Sequence, residues 1–475
     1  MIELSRVKKI HFVGIGGAGM SGIAEVLHNM GFVVSGSDIS ESETVKRLKT
    51  MGITVYLGHS QDNLRDAETL VYSSAVSREN EEVHEALQRK IPVIPRAEML
   101  AELMRVKFSI AVAGTHGKTT TTSMIATILT QARKDPTFVV GGRLKIGESR
   151  AKGAMLGKSV YLVAEADESD GSFLKLFPTL AVITNIENDH LDHYKTMDNL
   201  RRAFIDFGNK VPFYGSVILN YDCPQTREIA SRFNKRILTY SMAEDADVKA
   251  EKIESSVFGA SFDLLVDREN RGRIQLNVGG IHNVMNALAA ITASIEIGID
   301  LDTIREGLRR FYLPDRRFQV LFFNNDYLVV DDYGHHPTEI KATLETLGSG
   351  DFKRIIAVFQ PHRYTRLQLL MDRFAESFKG VDQLIVAQLY SANQPEIPEV
   401  NSQALVEKIK QGGFNPGNVH YIDTFAGILD HLTKGIRQGD AVVFFSAGNL
   451  TGAAHDFARR MGQKGQKRQK EEAVQ

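Results

Sequence analysis

The 475-residue sequence contains a single cysteine, Cys223, so it offers no pair for an internal disulfide. A chain this poor in cysteine is typical of a reducing compartment. The sequence also has no apolar run close to the ~20 residues that a membrane-spanning helix needs. Its first residues, M-I-E-L-S-R-V-K-K, include an early acid and precede no long apolar run, so no signal peptide is predicted. We therefore expect a cytoplasmic protein.

Charge of one sign is not in excess either. The 57 basic and 58 acidic residues leave a formal net charge of -1. The near-zero net charge gives no overall electrostatic attraction to nucleic acid or to an anionic membrane surface, so neither is predicted as a partner. Apolar residues make up 43% of the chain and charged residues 24%, which is ordinary for a soluble globular protein. The length predicts roughly three domains of ~150 residues, while the composition leaves the oligomeric state open.

Residues 108–122, F-S-I-A-V-A-G-T-H-G-K-T-T-T-T, have the pattern of a buried strand, a glycine turn and a helix. Gly114 and Gly117 let backbone N–H groups point inward where the helix offers the positive end of its dipole. Lys118 supplies an ammonium for terminal phosphates, and the Thr119 hydroxyl is placed to reach a magnesium ion. The pattern predicts a nucleoside triphosphate site, although Val112 stands where the common P-loop has its first glycine.

A second glycine loop lies near the amino terminus. A predicted strand enters three glycines at G-x-G-x-x-G spacing: Gly14, Gly16 and Gly19. The next strand ends at Asp38, about twenty residues further on, as in dinucleotide sites. Such a loop binds a pyrophosphate whichever nucleotide carries it, so NAD and a UDP-sugar both remain candidates. Ser73 and Ser74, at the end of another strand, are either ligand contacts or turn residues.

Two later strands are followed by acids and imidazoles. The first runs into Glu165, Asp167, Glu168 and Asp170, and the second into His190 and His193. In a doubly wound sheet both strands end at the edge that carries the phosphate loop. Carboxylates and an imidazole there could complete magnesium shells, although a solvated acidic loop has the same composition. Zinc is disfavoured because thiolate ligands are absent.

Two asparagines three residues apart, Asn283 and Asn286, begin another predicted helix. Their amides could meet a base edge or could cap the helix. Beyond residue 315, predicted strands again end in polar clusters, which contain His335, His336, His362, Arg363 and Arg366. These side chains predict a positive rim suited to a carboxylate or a phosphate.

Alternating strands and helices predict an α/β protein of three domains, each an open, mostly parallel sheet with flanking helices. We place a Rossmann-like domain at 1–107, a P-loop ATPase-like domain at 108–314 and a second Rossmann-like domain at 315–460. Residues 461–475 are predicted to be a disordered basic tail.

Six motifs, in one order, resemble those of the Mur ligases of peptidoglycan synthesis. They are G-T-H-G-K-T-T (114–120), E-A-D-E-S-D-G-S-F (165–173), T-N-I-E-N-D-H (184–190), H-N-V-M-N-A (282–287), D-D-Y-G-H-H-P-T-E (331–339) and Q-P-H-R-Y-T-R (360–366). The resemblance spans the chain from about Ile10 to Gly452. Its last two motifs are the most specific, because they are shared by the fewest members of the family. They imply the member that joins L-alanine to the lactyl carboxylate of UDP-N-acetylmuramate, or a relative that recycles whole peptides.

The resemblance implies ATP, Mg²⁺ and a UDP-sugar as ligands, and a third domain that closes over the ATPase domain. The implied ATP-binding residues are Gly114, Thr115, His116, Gly117, Lys118, Thr119, Thr120, Asn283 and Arg317. The implied UDP-sugar-binding residues are Gly14, Gly16, Gly19, Ser37, Asp38 and Ser73. The implied metal ligands are Thr119, Glu165 and His190. The implied catalytic residues are Lys118, His335, His362 and Arg366, of which the last three would line a joint substrate pocket.

The implied chemistry activates the carboxylate as an acyl phosphate, which the amine of L-alanine then attacks. A base must take a proton from the amine, and His335, His336 and His362 all qualify by residue type. Two rival classes explain less of the sequence. An NAD-dependent oxidoreductase leaves Lys118 without a purpose, and a nucleotide-binding regulator does not need the clustered acids and histidines.

Overall fold

The structure is a computed structural model that describes residues 7–73, 75–77, 79–144, 152–324 and 326–472. Its strands form three sheets, of five, ten and six strands, with helices between successive strands. The predicted α/β class with three mostly parallel sheets is therefore confirmed. The chain forms two compact units. The first contains the described residues up to Ile253 with Ser261–Asn277 and Asn283–Pro314, and the second contains Glu254–Ala260, Val278–His282 and the described residues from Asp315 onward.

The five-stranded sheet has the topology of a nucleotide-binding fold. Its elements are β1 (Lys9–Val13), α1 (Ala18–Asn29), β2 (Val33–Asp38), α2 (Glu43–Thr50), β3 (Thr54–Leu57), β4 (Thr69–Tyr72), α3 (Glu81–Gln88), β5 (Val93–Pro95) and α4 (Arg96–Arg105). All strands are parallel, in the order β3-β2-β1-β4-β5. The strand order reverses between β1 and β4, and the crevice beyond their carboxyl ends is where such sheets bind ligands. Val13, the last residue of β1, lies between Ser37 and Tyr72.

The ten-stranded sheet contains the phosphate loop. Its elements are β6 (Phe108–Ala113), α5 (Lys118–Gln131), β7 (Thr137–Leu144), β8 (Lys152–Met155), β9 (Tyr161–Glu165), β10 (Leu180–Ile183), α6 (Leu191–Tyr194), α7 (Met197–Asn209), β11 (Ser216–Asn220), α8 (Pro224–Ile229), β12 (Arg236–Ser241), β13 (Val248–Ser255), β14 (Ala260–Val266), β15 (Glu269–Leu276), α9 (Ile281–Glu296) and α10 (Leu301–Arg309). The strand order is β15-β14-β13-β12-β11-β10-β6-β9-β7-β8. Strand β6 is almost wholly buried, as expected for a strand covered on both faces of a parallel sheet. Its parallel neighbours β9 and β10 bring their carboxyl ends to the same edge.

The six-stranded sheet belongs to the second unit. Its elements are β16 (Gln319–Phe323), β17 (Tyr327–Asp332), α11 (Pro337–Gly348), β18 (Arg354–Phe359), α12 (Tyr364–Ala375), β19 (Gln383–Val386), α13 (Ser402–Gln411), β20 (Val419–Tyr421), α14 (Phe425–Gly435), β21 (Asp440–Phe445) and α15 (Thr451–Glu472). The order is β16-β17-β21-β18-β19-β20, and only the edge strand β16 is shown antiparallel to its neighbour. Short 3-10 helices lie at Gln61–Leu64, Ser172–Lys175, Ala230–Arg232 and Pro416–Asn418.

Helix α15 corrects one prediction. Its apolar side chains Ala454, Phe457 and Met461 are buried in the core beside Phe444. The helix then continues to Glu472, so residues 461–472 are helical where a disordered tail was expected. A helix already held by packing extends at little cost, because each added residue gains a backbone hydrogen bond. No helix among the described residues is both long enough and apolar enough to cross a membrane.

Candidate active site

The phosphate loop between β6 and α5 is held against the end of β10. The Thr115 N–H donates to the Asn185 carbonyl (3.1 Å), and the His116 N–H donates to the Asn185 side-chain oxygen (2.9 Å). The Thr115 hydroxyl accepts from the Glu187 N–H (2.9 Å). Gly114 has φ +132°, and a Cβ there would collide with the Thr184 hydroxyl, so only glycine fits. The loop is therefore a rigid part of the sheet edge.

Helix α5 begins at Lys118, after Gly117 in the left-handed conformation (φ +81°) and without a side-chain cap. Its first backbone N–H groups have no partner within the helix, as an anion-binding helix terminus requires. Thr119 and Thr120 follow in the first turn and are largely buried. The phosphate contacts predicted for these residues stay a prediction.

Lys118 points into the sheet edge and contacts a buried carboxylate. Its Nζ donates to the Gly114 carbonyl (2.7 Å) and lies 3.0 and 2.9 Å from the two Glu168 oxygens. The Lys118 side chain is only 16% exposed and that of Glu168 1%. Burial opposes the charged ammonium, but Glu168 and Asp167 outweigh burial and raise the pKa of Lys118. The lysine is therefore a charged and largely buried group whose position is fixed by Glu168.

Glu168 is the residue of this site that the sequence analysis did not single out. It was one of four acids after β9, and their spacing does not say which carboxylate meets Lys118. The structure shows Glu168 between Lys118 and His190, whose Nε2 lies 3.6 Å from Glu168 Oε1. Glu165, predicted as a metal ligand, accepts a hydrogen bond from the Gly141 N–H (2.7 Å). Its charge also contributes to the raised pKa of Lys118.

The residue types of the predicted metal site suit a hard divalent cation, and its geometry stays a prediction. The predicted ligands are the oxygens of Thr119 and Glu165 and the imidazole of His190, next to a helix start that favours phosphate. Oxygen-rich sets of this kind suit Mg²⁺. His190 adopts φ +59°, a conformation uncommon for residues other than glycine, which turns its ring toward Glu168. Asp167 and Asp170 accept backbone N–H groups within their own loop, at Ser169 and Ser172.

Asn283 and Asn286 lie in the first turns of α9, and both are buried. Asn286 Oδ1 accepts from the Thr121 hydroxyl (3.3 Å), and its amide donates to Asn283 Oδ1 (3.2 Å). A Cβ on Gly117 would collide with Asn286 Oδ1. Asn286 therefore packs under the phosphate loop, and both asparagines lie inside α9 and not at its N-cap position. The adenine contact of Asn283 stays a prediction.

The amino-terminal glycine loop is held by the residues that end β2, and its role as a pyrophosphate site stays a prediction. The N–H groups of Gly14 and Ile15 donate to the Ser37 carbonyl (2.9 and 3.0 Å). The Gly16 N–H donates to Asp38 Oδ2 (2.8 Å). Asp38 thus holds the loop itself, a role that differs from the ribose contact typical of dinucleotide sites. Helix α1 follows without a side-chain cap at Gly17.

The two serines predicted at this site differ in their surroundings. The Ser37 hydroxyl is fully buried and donates to Glu82 Oε2 (2.7 Å), so a ligand contact through that hydroxyl is not supported. Ser73 lies beside Gly14, and its hydroxyl accepts from the Ala75 N–H (3.3 Å), which is the turn role considered above. Ser74 lies outside the described residues.

Two of the three predicted histidines of the six-stranded sheet lie close together. His335 follows β17 and His362 follows β18, and their ring centroids are 6.0 Å apart. His362 stacks on Tyr390 and lies 3.3 Å, Nδ1 to Nη1, from Arg366. Burial and the charge of Arg366 lower the pKa of His335 to about 3 and that of His362 to about 4. Both rings are therefore neutral at physiological pH.

Two further predicted residues, His336 and Arg317, lie near His335. The His336 ring is fully buried, and its Nδ1 accepts from the Thr338 N–H (3.3 Å) at the start of α11. This helix-capping contact makes His336 the least suitable of the three histidines as a base. Arg317 lies 3.3 Å from Glu339 Oε1, and Glu339 Oε2 accepts from the His335 N–H (3.0 Å). Arg363 is the N-cap residue that precedes α12, with φ +70°, and it contributes to the lowered pKa of His362.

The fold and these sites define the class of the protein. Three family models match consecutive parts of the chain: the Mur ligase family catalytic domain at residues 9–108, the Mur ligase middle domain at 112–294 and the Mur ligase glutamate ligase domain at 316–448. The chain belongs to the Mur ligase family.

Within this family the chain is similar to one kind of ligase. It is 48% identical to the UDP-N-acetylmuramate–L-alanine ligase of Syntrophotalea carbinolica, over 94% of this chain and 96% of that protein. The crystal structure of the UDP-N-acetylmuramate–alanine ligase MurC of Thermotoga maritima has a TM-score of 0.81 at 28% identity, covering 96% of this chain and 99% of that one. A murein peptide ligase from Psychrobacter arcticus follows, with a TM-score of 0.70 at 26% identity, covering 95% and 98%.

Proposed function

We propose that this chain is an ATP-dependent ligase that joins L-alanine to the lactyl carboxylate of UDP-N-acetylmuramate, in the cytoplasm, for peptidoglycan synthesis. The observation that carries this proposal is the similarity, over nearly the whole chain, to ligases named for that reaction. The phosphate loop supports the ATP-dependent half-reaction, and the amino-terminal glycine loop supports a nucleotide-linked sugar.

A carboxylate must be activated before an amine can displace its oxygen. The γ-phosphoryl group of ATP passes to the lactyl carboxylate, which gives an acyl phosphate and ADP. Lys118, charged and held by Glu168, is placed to neutralise charge on the transferring group. Thr119, Glu165 and His190 would hold Mg²⁺, which supplies further charge neutralisation on phosphate oxygens.

The second step forms the amide. The amine of L-alanine attacks the acyl carbon, a proton leaves the nitrogen and inorganic phosphate is expelled. His335 and His362 are unprotonated at neutral pH and so can accept a proton, but their pKa values of about 3 and 4 lie below the range in which a general base works best. Arg366 and Arg317 provide planar guanidinium groups that can bind carboxylate or phosphate through paired hydrogen bonds.

Phosphate release from ATP by the purified full-length chain tests the proposal. We expect release only when UDP-N-acetylmuramate and L-alanine are both present, with weaker activity when glycine or L-serine replaces alanine. Omitting Mg²⁺ should abolish turnover, and NAD should neither bind nor be reduced. Release supported by L-alanyl-γ-D-glutamyl-meso-diaminopimelate but not by L-alanine would favour the peptide-recycling reaction instead.

A further inference from the structure

Glu82, in the first turn of α3, is a fully buried carboxylate with no part in the chemistry above. Five groups surround it. Oε2 lies 2.9 Å from His11 Nε2 and accepts from the Ser37 hydroxyl (2.7 Å), and Oε1 accepts from Asn63 Nδ2 (2.8 Å) and the Ser60 N–H (3.1 Å). His59 Nδ1 lies 3.5 Å from Oε1.

This arrangement requires an ionised carboxylate. A carboxylate is acceptor-only with two equivalent oxygens, whereas a glutamine amide presents one oxygen and one donor nitrogen. Burial raises the pKa of Glu82, but the hydrogen bonds from His11, Asn63 and Ser37 outweigh burial and lower the pKa to about 2. A buried charge is costly unless it is fully paired, so an apolar residue would serve plain packing better.

The carboxylate is connected to the glycine loop through one residue. The Ser37 hydroxyl donates to Glu82, and the Ser37 carbonyl accepts from the N–H groups of Gly14 and Ile15. Asp38, next in the chain, holds the Gly16 N–H. The position of the Ser37–Asp38 backbone therefore sets the direction of the loop.

We propose that Glu82 is a positioning residue for the UDP-sugar, because its buried carboxylate fixes Ser37 and, through Ser37, the backbone of the loop from Gly14 to Gly16. The identity of the ligand rests on the proposed function, whereas the positioning of the loop does not. Supporting groups of this kind fix the geometry of residues that touch a ligand without touching it themselves.

Glu82→Gln in the full-length chain tests this role. We expect the KM for UDP-N-acetylmuramate to rise about tenfold, the size of one lost hydrogen bond to a charged group. The kcat and the KM for ATP should stay close to those of the unsubstituted chain. Glu81→Gln, an exposed neighbour on the same turn, is the matched control and should change nothing. An unchanged KM for the UDP-sugar, or an equal loss in all constants, would overturn the proposal.

Ser37→Ala keeps the Glu82 charge and is a second variant for testing the same connection if Glu82→Gln folds poorly. If Glu82 acts through Ser37, the effects of the two substitutions on this KM are non-additive in the double variant. Additive effects would contradict the connection.

Amide hydrogen exchange at Gly14 and Ile15, measured without any substrate, makes the test independent of the reaction. It should be faster in Glu82→Gln than in the unsubstituted chain or in Glu81→Gln. Equal exchange would overturn the positioning role. A chain without UDP-sugar-dependent turnover would instead refute the proposed function alone.

Discussion

At the scale of single residues, Lys118 is predicted to act on the transferring phosphoryl group and also forms an ion pair with the buried Glu168. Lys118→Ala should lower turnover by at least ~10²-fold, because it removes a charge directed at the transferring phosphoryl group. It should also lower the thermal unfolding temperature, because Glu168 would remain buried without its partner; breaking such a pair costs about 3–5 kcal/mol. Steady-state kinetics and differential scanning calorimetry measure the two effects.

The double variant Lys118→Ala/Glu168→Ala separates these effects. Removing both members of a buried ion pair is often nearly neutral for stability, so the unfolding temperature should recover in part. Turnover should not recover. Recovery of turnover would mean that Lys118 acts on the fold and not on the phosphoryl group.

The pair of His362 and Arg366 gives a prediction about pH. The pKa of His362 is lowered from 6.5 to about 4 by burial, Arg366, Arg363 and Arg316. The folded chain therefore binds fewer protons than the unfolded chain between these values, and stability falls as the pH falls through this window. Arg366→Gln removes one positive charge and should raise the pKa of His362, as measured by NMR titration of its ring protons.

Arg366→Lys is the matched control for this measurement. It keeps the charge, so the pKa of His362 should stay low. Lysine has no planar fork and cannot copy a bidentate contact to a carboxylate, so turnover should fall while ATP binding persists. If Arg366→Lys kept normal turnover and normal constants for both co-substrates, Arg366 would have no role in substrate binding.

At the scale of elements, the same unit recurs: a parallel strand ends, the chain turns, and polar groups lie beyond the carboxyl edge. In the first sheet this edge carries the glycine loop. A Cβ on Gly16 would lie 2.8 Å from Asp38 Oδ2 and 2.9 Å from Val45 Cγ2, so a side chain there must displace the loop. Gly16→Val should therefore raise the KM for the UDP-sugar and leave ATP binding intact, as measured by kinetics and calorimetry.

Gly17→Ala is the control in the same loop. A Cβ at Gly17 meets its nearest neighbour, the Gly14 carbonyl, at 3.4 Å, and its φ of -60° suits any residue. The KM for the UDP-sugar should change little. Equal effects of the two substitutions would contradict the argument that the collisions of a Gly16 side chain with Asp38 and Val45 displace the loop.

At the scale of the whole molecule, the buried side chains of α15 predict how much of the carboxyl terminus is required for a stable fold. The buried side chains of α15 that the structure describes end at Met461. Truncation after Gln463 should therefore leave turnover and the unfolding temperature unchanged. Truncation after Gly452 removes Ala454, Phe457 and Met461, and losses of about 2–5 kcal/mol per large side chain are comparable to the usual net stability.

These two truncations are compared by circular dichroism and calorimetry. The longer chain should unfold in one sharp transition for the six-stranded unit, and the shorter one should lack it. A clear loss of stability in the chain that ends at Gln463 would show that residues 464–475 pack on the molecule.

The features that depend only on residues close together along the chain could be predicted from the sequence alone. Both glycine loops are local signals, since a strand, a turn and a helix start lie within about fifteen residues of one another. The α/β class follows from the same alternation, and the family follows from short motifs in a fixed order. The motif residues 114–120 and 331–339 accordingly lie where a turn at a strand end was expected.

Only the tertiary structure decided which distant side chains meet. Glu168 is 50 residues from Lys118, and Glu82 is 71 residues from His11, so their pairing depends on strand order and register. The sequence shows four acids after β9 but not which one turns toward the lysine, and it gives no sign that Glu82 is buried. A periodicity reports local conformation, whereas burial and pKa depend on atoms that the fold brings from elsewhere in the chain.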